Sequence, residues 1–308
     1  MALLVASDVA LTTIICTYIF TFLAVLSLLV HGSVRLKKFS GFLLEDYLTF
    51  AAFMIALGLV GQITWAVIDE GQGQHMSDVS RSQFELTAKS LLANEALWAL
   101  VNTFIRLSAL TMFWKIFNAT ATARYFSAVL MCCSIMYGIA ALLTAALICR
   151  PIQAAWDNQV QGTCGNQTAA YVALEVIGLV IDMAILALPF QPIMGLSMRS
   201  VTKSLILLAF SAGAFVIIIT GFRIAALHRV NASDFTYDQG YLGLLSTLGA
   251  LVSIICCCAV SFYTIGCHWY ERLKGRNFGF FKISRCLTFL AQADFLPFTT
   301  SKSDSPDA

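Results

Sequence analysis

The sequence predicts an all-α fold: a polytopic membrane protein built as a bundle of seven transmembrane helices. Two observations lead to this fold class. Hydrophobic residues make up 59% of the 308 residues and charged residues only 12%, whereas soluble domains are about 25% charged. Seven apolar segments also reach the roughly 20 residues that a helix needs to cross a hydrocarbon core of about 30 Å. The lipid bilayer is therefore the first predicted partner, and no nucleic-acid partner is expected.

The apolar segments divide the chain into one transmembrane domain and a polar end. The first segment is interpreted as a retained anchor, because no basic residue precedes it and no clear cleavage site follows. Residues 1–266 form the domain, 267–298 a basic and aromatic segment on the membrane surface, and 299–308 a disordered tail. The predicted spans are, in order, about 9–30, 47–68, 91–113, 125–148, 169–194, 204–227 and 241–266.

The loop charges predict the orientation of the bundle. Cytoplasmic loops carry an excess of Lys and Arg. One set of alternate loops, with the segment after the last span, holds thirteen basic residues: Arg35, Lys37, Lys38, Lys115, Arg124, Arg199, Lys203, Arg272, Lys274, Arg276, Lys282, Arg285 and Lys302. The other set holds four: Arg81, Lys89, Arg150 and Arg229. We therefore expect the N-terminus outside and the C-terminus in the cytoplasm, in the plasma membrane or an endomembrane.

Ionisable residues inside the spans are the candidate functional residues, since each costs about 2.5–3.5 kcal/mol at the centre of a membrane helix. In the third span, Glu95, Asn102 and Arg106 are spaced by seven and four residues and so share one helix face. In the fifth, Glu175 and Asp182 are seven residues apart and also share a face. Both faces are expected to point into the bundle, where they form a polar core.

Depth in the membrane predicts which charges meet. Counted at about 1.5 Å per residue from the outer end of each span, Arg106 and Asp182 lie at the same level, so we expect them to be neighbours. Arg223 in the sixth span lies level with Glu95 and Glu175, where a second ion pair is expected. These charges are either a structural clamp between helices or a site for a ligand, a proton or a substrate. Both interpretations remain open.

The loops predicted to lie outside hold sites for covalent modification. Cys149 and Cys164 bracket one of them, where an oxidising compartment favours a disulfide. Sequons place candidate glycosylation sites at Asn231 and Asn166. No metal site is expected, because all four histidines fall at span ends or in loops and the clustered cysteines of the spans have no histidine beside them.

Short motifs follow one another in order along five spans: Asp46-Tyr47, Arg106-Leu107-Ser108, Phe113-Trp114-Lys115-Ile116-Phe117, Cys149-Arg150-Pro151, Trp156, Cys164, Asp182, Leu188-Pro189, Met198, Lys203, Gly213 and Arg223. Their order and spacing resemble the fungal rhodopsin-like integral membrane domain, a family that includes the satratoxin-cluster membrane protein and Pth-type receptor-like proteins. The resemblance covers about residues 40–230. It implies seven helices and receptor-like or secondary-metabolite cluster roles.

The seventh span departs from the family pattern, because Tyr241 to Gly266 contains no Trp, Glu, Pro or Lys. A retinal Schiff base needs a lysine amine inside the bundle, so no retinal is expected. No other cofactor is expected either. The cysteine-rich extracellular module of some receptor-like members needs a long N-terminal extension and is expected to be absent.

Three functional hypotheses follow from the sequence. In the first, the chain is a receptor-like sensor, although no Asp-Arg-Tyr-like or Asn-Pro-x-x-Tyr-like motif supports coupling to a G protein. In the second, it belongs to a secondary-metabolite gene cluster and binds or processes a lipophilic small molecule. An embedded cyclase, isomerase or hydrolase would use Glu175 and Asp182 for acid–base chemistry. A transporter ranks third, because two similar halves are not visible.

Overall fold

The computed structural model describes residues 8–38, 41–116, 121–157, 160–188, 200–229 and 235–273. Over these ranges the chain is all-α, as predicted, with two strands of two residues each and two short 3₁₀ turns. The seven helices are α1 (Asp8–Lys38), α2 (Leu44–Asp69), α3 (Arg81–Ile116), α4 (Ala121–Leu147), α5 (Gln167–Ala187), α6 (Ser200–Arg229) and α7 (Phe235–Leu273). The sequon at Asn231 and nearly all of the predicted surface segment and tail lie outside the described residues.

Six of these helices, all except α6, are long and apolar enough to cross a membrane within the described residues. In α6 the continuous stretch with described side chains is Gly213–His228, which is also apolar but shorter. Large apolar side chains such as Phe22 (68% exposed) and Val180 (60% exposed) point away from the bundle, as expected of side chains in contact with lipid. The chain is a multi-pass integral membrane protein.

Most helices extend beyond the predicted spans, and the bounds of α3 and α5 differ from the prediction for identifiable reasons. Helix α3 begins at Arg81, ten residues before the predicted start at Leu91, because polar residues extend a helix beyond the hydrocarbon layer without interrupting it. Helix α5 ends at Ala187 with Leu188 as its C-cap, and residues 189–194 of the predicted span lie outside the described residues. Pro189 comes next in the sequence, and proline has no amide N–H to continue a helix.

Helices α3 and α7 lie at the centre of the helix packing. Helix α3 packs against α2, α4, α5 and α7, and α7 packs against α1, α2, α3 and α6. The largest apolar cluster lies where α1, α2, α3 and α7 meet, and includes Leu59, Trp98, Leu251 and Ile254. Arg106 of α3 therefore faces α5, the helix that carries Asp182.

A disulfide marks one end of the bundle, which we call the disulfide end. Cys149 and Cys164 are bonded, as predicted, and pair as antiparallel strands in the α4–α5 loop. The α2–α3 loop reaches the same end, where the Lys89 ammonium lies 5.4 Å from the centre of the Trp156 ring. Gly73 in that loop donates its N–H to Thr236 O at the start of α7 (2.9 Å). Its φ of 88° favours glycine.

Candidate functional site

A set of four polar residues from four helices surrounds one guanidinium, and we call it the charge layer: Glu95, Glu175, Arg223 and Ser246. Arg223 is completely buried. Its Nε donates to Ser246 Oγ (2.9 Å), its Nη2 to Glu95 Oε1 (2.6 Å) and its Nη1 to Glu175 Oε1. Each nitrogen of the guanidinium thus has an acceptor from a different helix.

Trp98 completes the surroundings of this guanidinium. Its Nε1 donates to Glu175 Oε1 (2.9 Å), and its ring centre lies 4.8 Å from Arg223 Cζ. A guanidinium over an indole face is attracted by the negative face of the ring. Sequence reasoning identified Glu95, Glu175 and Arg223 but missed Trp98 and Ser246, since neither residue type is unusual in a membrane helix.

A second ion pair lies farther from the disulfide end. Arg106 of α3 donates from Nε and Nη2 to the two carboxylate oxygens of Asp182 in α5, at 2.7 and 2.9 Å. Its Nη2 also donates to Gly178 O (3.2 Å), and its Cζ lies 4.6 Å from the centre of the Tyr137 ring. The structure therefore contains the pair that depth predicted, in a two-point geometry that also sets its orientation.

A glycine makes room for this pair. A Cβ atom at Gly178 would lie 3.0 Å from Arg106 Nη2 and 3.3 Å from Tyr137 Oη. Both distances are shorter than ordinary van der Waals contacts, so any larger residue displaces the guanidinium or the phenol. Gly178 thereby lets α5 approach α3 closely enough for the two-point ion pair.

An apolar layer covers the charge layer on the side of the disulfide end. Leu91, Tyr171, Leu227 and Leu242 form one buried cluster. Each lies four residues from a member of the charge layer on its own helix, which is one helical turn or about 6 Å toward the disulfide end. Tyr171 is 2% exposed, and its hydroxyl has no hydrogen-bond partner among the described residues. A buried apolar layer thus lies between the charges and that end.

The opposite end carries a third ionic cluster, which sequence reasoning did not identify. His31 Nε2 lies 2.7 Å from Asp46 Oδ1, and Arg35 pairs with both Asp46 (3.0 Å) and Glu45 (3.1 Å). Lys115 of α3 pairs with Glu45 at 2.7 Å. These contacts join α1, α2 and α3. The signal in the sequence was the Glu45-Asp46 pair at the start of a span, opposite basic residues at the ends of two others.

Two of the sequence candidates, Asn102 and Asn166, have local roles outside these clusters. Asn102 donates to Trp98 O one turn earlier on α3 (2.9 Å) and joins neither ion cluster. Asn166 is exposed and caps α5, its Oδ1 accepting from Ala169 N (3.0 Å). Glu175 and Asp182 belong to separate ion pairs rather than to one acid–base pair. Within the described ranges, no group of three or more His, Cys, Asp or Glu residues is placed to hold a metal ion.

Comparison with known proteins agrees with this architecture. No curated protein and no solved structure shows a detectable match to the chain. The family model for the fungal rhodopsin domain matches residues 31–265. That range is wider than the 40–230 covered by the motifs, and it contains the three ionic clusters and most of α7. The chain therefore belongs to the fungal rhodopsin domain family.

Proposed function

We propose that the protein is a receptor-like membrane protein whose charge layer binds a small molecule. The observation that carries this proposal is the complete burial of Arg223 between two carboxylates. Charges inside a membrane are costly and mark functional sites by default. Apolar residues of similar volume often hold buried elements together as well as an ion cluster does. Adhesion between helices alone thus gives no reason for three charges at one level.

The geometry favours binding over catalysis. An embedded cyclase, isomerase or hydrolase needs an acid or base that is free to exchange a proton with its substrate. Asp182 instead receives two hydrogen bonds from Arg106, and Glu175 receives hydrogen bonds from Trp98 and Arg223. Both carboxylates are committed to donors within the protein. The enzyme hypothesis on Glu175 and Asp182 therefore ranks second.

The basic residues of the loops and the disulfide together support an orientation for this receptor. With the positive-inside rule, the disulfide end faces the outside or a lumen, where oxidising conditions allow Cys149 and Cys164 to pair. The N-terminus is then outside and the C-terminus cytoplasmic. Glycosylation at Asn166 and Asn231 belongs to the same proposal. The apolar layer lies between the charge layer and the outer medium.

The ligand proposed from the family resemblance is a lipophilic product or intermediate of a secondary-metabolite cluster. Deletion of the gene followed by metabolite profiling tests this role directly. Accumulation of one precursor indicates a processing step, and loss of regulated production without a new precursor indicates sensing. An unchanged metabolite profile contradicts the cluster role.

Ligand binding itself is tested with purified protein in lipid nanodiscs. Melting temperatures are measured with a panel of terpenoid, polyketide and amine compounds, for the wild type, Glu95→Gln and a matched control, Glu85→Gln. Glu85 lies on the same helix, but its side chain is 34% exposed and pairs with the exposed Arg81. We expect at least one compound to raise the melting temperature of the wild type and of the control but not of Glu95→Gln. Equal stabilisation of all three proteins by every active compound contradicts the proposed site.

A further inference from the structure

We propose that the charge layer recognises a cationic group, and that the site holds either a proton on Glu95 or the ammonium group of a lipophilic amine. This inference rests on the proposed function, because it names the chemical class of the small molecule bound there. Three observations carry it. The layer holds two carboxylates but one guanidinium, and the two glutamates accept different numbers of hydrogen bonds. Beside them, the buried Tyr171 hydroxyl has no hydrogen-bond partner among the described residues.

The charge layer contains more negative than positive groups. Glu95 and Glu175 contribute two carboxylates, and Arg223 contributes one guanidinium. Arg106 does not balance the second carboxylate, because Asp182 already binds it at two points. Two carboxylates that share one site cannot both ionise without a compensating charge. One further positive charge, a proton or a cation, therefore belongs to this layer.

The hydrogen bonds place that charge at Glu95. Oε1 of Glu175 accepts from both Trp98 and Arg223. Oε1 of Glu95 accepts from Arg223 alone among the described residues. The carboxylate with fewer donors gains more from an added proton or ammonium group. Glu175 is then the fixed partner of Arg223, and Glu95 is the exchangeable site.

Tyr171 supplies a second polar contact in the adjacent layer. Its hydroxyl is buried and has no hydrogen-bond partner in the part of the chain that the structure describes, and it interacts electrostatically with Glu95. The oxygen of a phenol accepts a hydrogen bond from an ammonium N–H. The other members of the apolar layer are leucines, which suit the hydrocarbon part of an amine. An ammonium group between Glu95 and Tyr171 would pair with the carboxylate of the charge layer and donate a hydrogen bond to the phenol oxygen. The hydrocarbon part of the amine would then pack among the leucines of the apolar layer.

Proton and amine compete for one carboxylate, so binding depends on pH. An ammonium ion that displaces the proton of Glu95 forms an ion pair and releases one H⁺, with no change in covalent bonds of the amine. The titratable and charged groups that interact with Glu95 are Arg223, Glu175, Tyr171 and, more weakly, Tyr137, whereas Arg106 interacts mainly with Asp182. While Glu95 is protonated, affinity for the ammonium form rises by up to about tenfold per pH unit.

The experiment uses the full chain in nanodiscs and matched pairs of probes. Dissociation constants of 1-adamantylamine, cyclohexylamine and phenethylamine are measured at pH 6 and pH 8 beside those of the corresponding alcohols. In the wild type and in Glu85→Gln, we expect at least one amine to bind more tightly than its alcohol, and more tightly at pH 8. Glu95→Gln should abolish both preferences. Tyr171→Phe, which retains the ring, should weaken the amine about tenfold.

The outcomes separate this inference from the proposed function. Equal binding of amines and alcohols, or an amine preference that is unchanged between pH 6 and pH 8, overturns the inference. If an alcohol binds and loses affinity in Glu95→Gln, the charge layer remains a binding site without cation selectivity. If no compound of this set or of the wider panel binds, the proposed function fails as well. Tyr171→Phe keeps the test valid if Glu95→Gln does not fold, since it leaves every charge in place.

Discussion

At the scale of single residues, Arg223 shows how a buried cation is held in this bundle. Three helices besides its own supply acceptors for its nitrogens, and Trp98 covers its face. A charge without such partners is strongly destabilising in a low-dielectric interior. The environment of Arg223 is therefore complete only when α3, α5, α6 and α7 are all assembled.

The Arg106–Asp182 pair leads to a stability prediction. Arg106→Ala or Asp182→Ala leaves one buried charge unpaired and should cost about 3–5 kcal/mol. The double variant removes both charges, so its loss in free energy of unfolding should be smaller than the sum of the two single losses. Thermal unfolding in nanodiscs measures this cycle. The exposed pair Arg81–Glu85 is the matched control, with a coupling below about 1 kcal/mol. Losses that simply add at Arg106 and Asp182 refute an energetic coupling between them.

Gly178 provides a steric test of the same pair. Gly178→Ala should destabilise the protein by about 1–3 kcal/mol, because its Cβ displaces the Arg106 guanidinium from Asp182. Gly221→Ala is the control, since no atom lies within 4 Å of its Cβ position. That change should be neutral or stabilising by up to about 1 kcal/mol. Similar melting temperatures for the two variants would show that close packing at Gly178 is unimportant.

At the scale of elements, α3 connects the three ionic clusters of the described residues. It contributes Glu95 to the charge layer, Arg106 to the second pair and Lys115 to the cluster at the opposite end. The stripe of Glu95, Asn102 and Arg106 was visible in the spacing. Asn102 nevertheless bonds to the backbone of its own helix, because its short side chain reaches the preceding turn more easily than a neighbouring helix.

The α4–α5 loop is predicted to depend on its disulfide. The bond closes a loop with a sequence separation of 15 residues, and its loss should reduce stability by about 3 kcal/mol through loop entropy. Cys149→Ser with Cys164→Ser should therefore lower the melting temperature, as should a reducing agent on the wild type. Cys132→Ala, at an exposed free cysteine of α4, should have little effect. A melting temperature insensitive to reduction contradicts this role.

The end of α2 provides a pH-dependent prediction. Burial raises the pKa of the Glu70 carboxyl above its ordinary value of 4.5, and the negative charge of Asp69 raises this pKa further. A hydrogen bond from Ser90 acts in the opposite direction but does not cancel the effect. The folded state thus prefers protonated Glu70, so its stabilising contribution is present below pH 4.5 and is lost as pH rises through the folded pKa. Glu70→Gln should melt higher than the wild type at pH 7, with a difference that shrinks near pH 4. A constant difference excludes Glu70 as the titrating group.

At the scale of the whole molecule, the proposed orientation can be measured by cysteine labelling. Arg81→Cys places a thiol in an exposed position at the disulfide end, and Arg124→Cys places one at the opposite end. With the N-terminus outside, a membrane-impermeant maleimide should label Arg81→Cys on intact cells. Arg124→Cys should react only after permeabilisation. The reverse pattern refutes the orientation derived from the loop charges.

The sequence by itself determined the membrane class, the seven helices, the disulfide and the buried charges. It could do so because a bilayer imposes a span length and a cost on every charge, and both are visible in composition and spacing. Only the tertiary structure decided that Arg223 binds two glutamates at once, that Ser246 and Trp98 join it and that an apolar layer covers them. Those partners depend on the order and rotation of neighbouring helices. The lipid does not fix this arrangement, because it is set by the packing of side chains between helices.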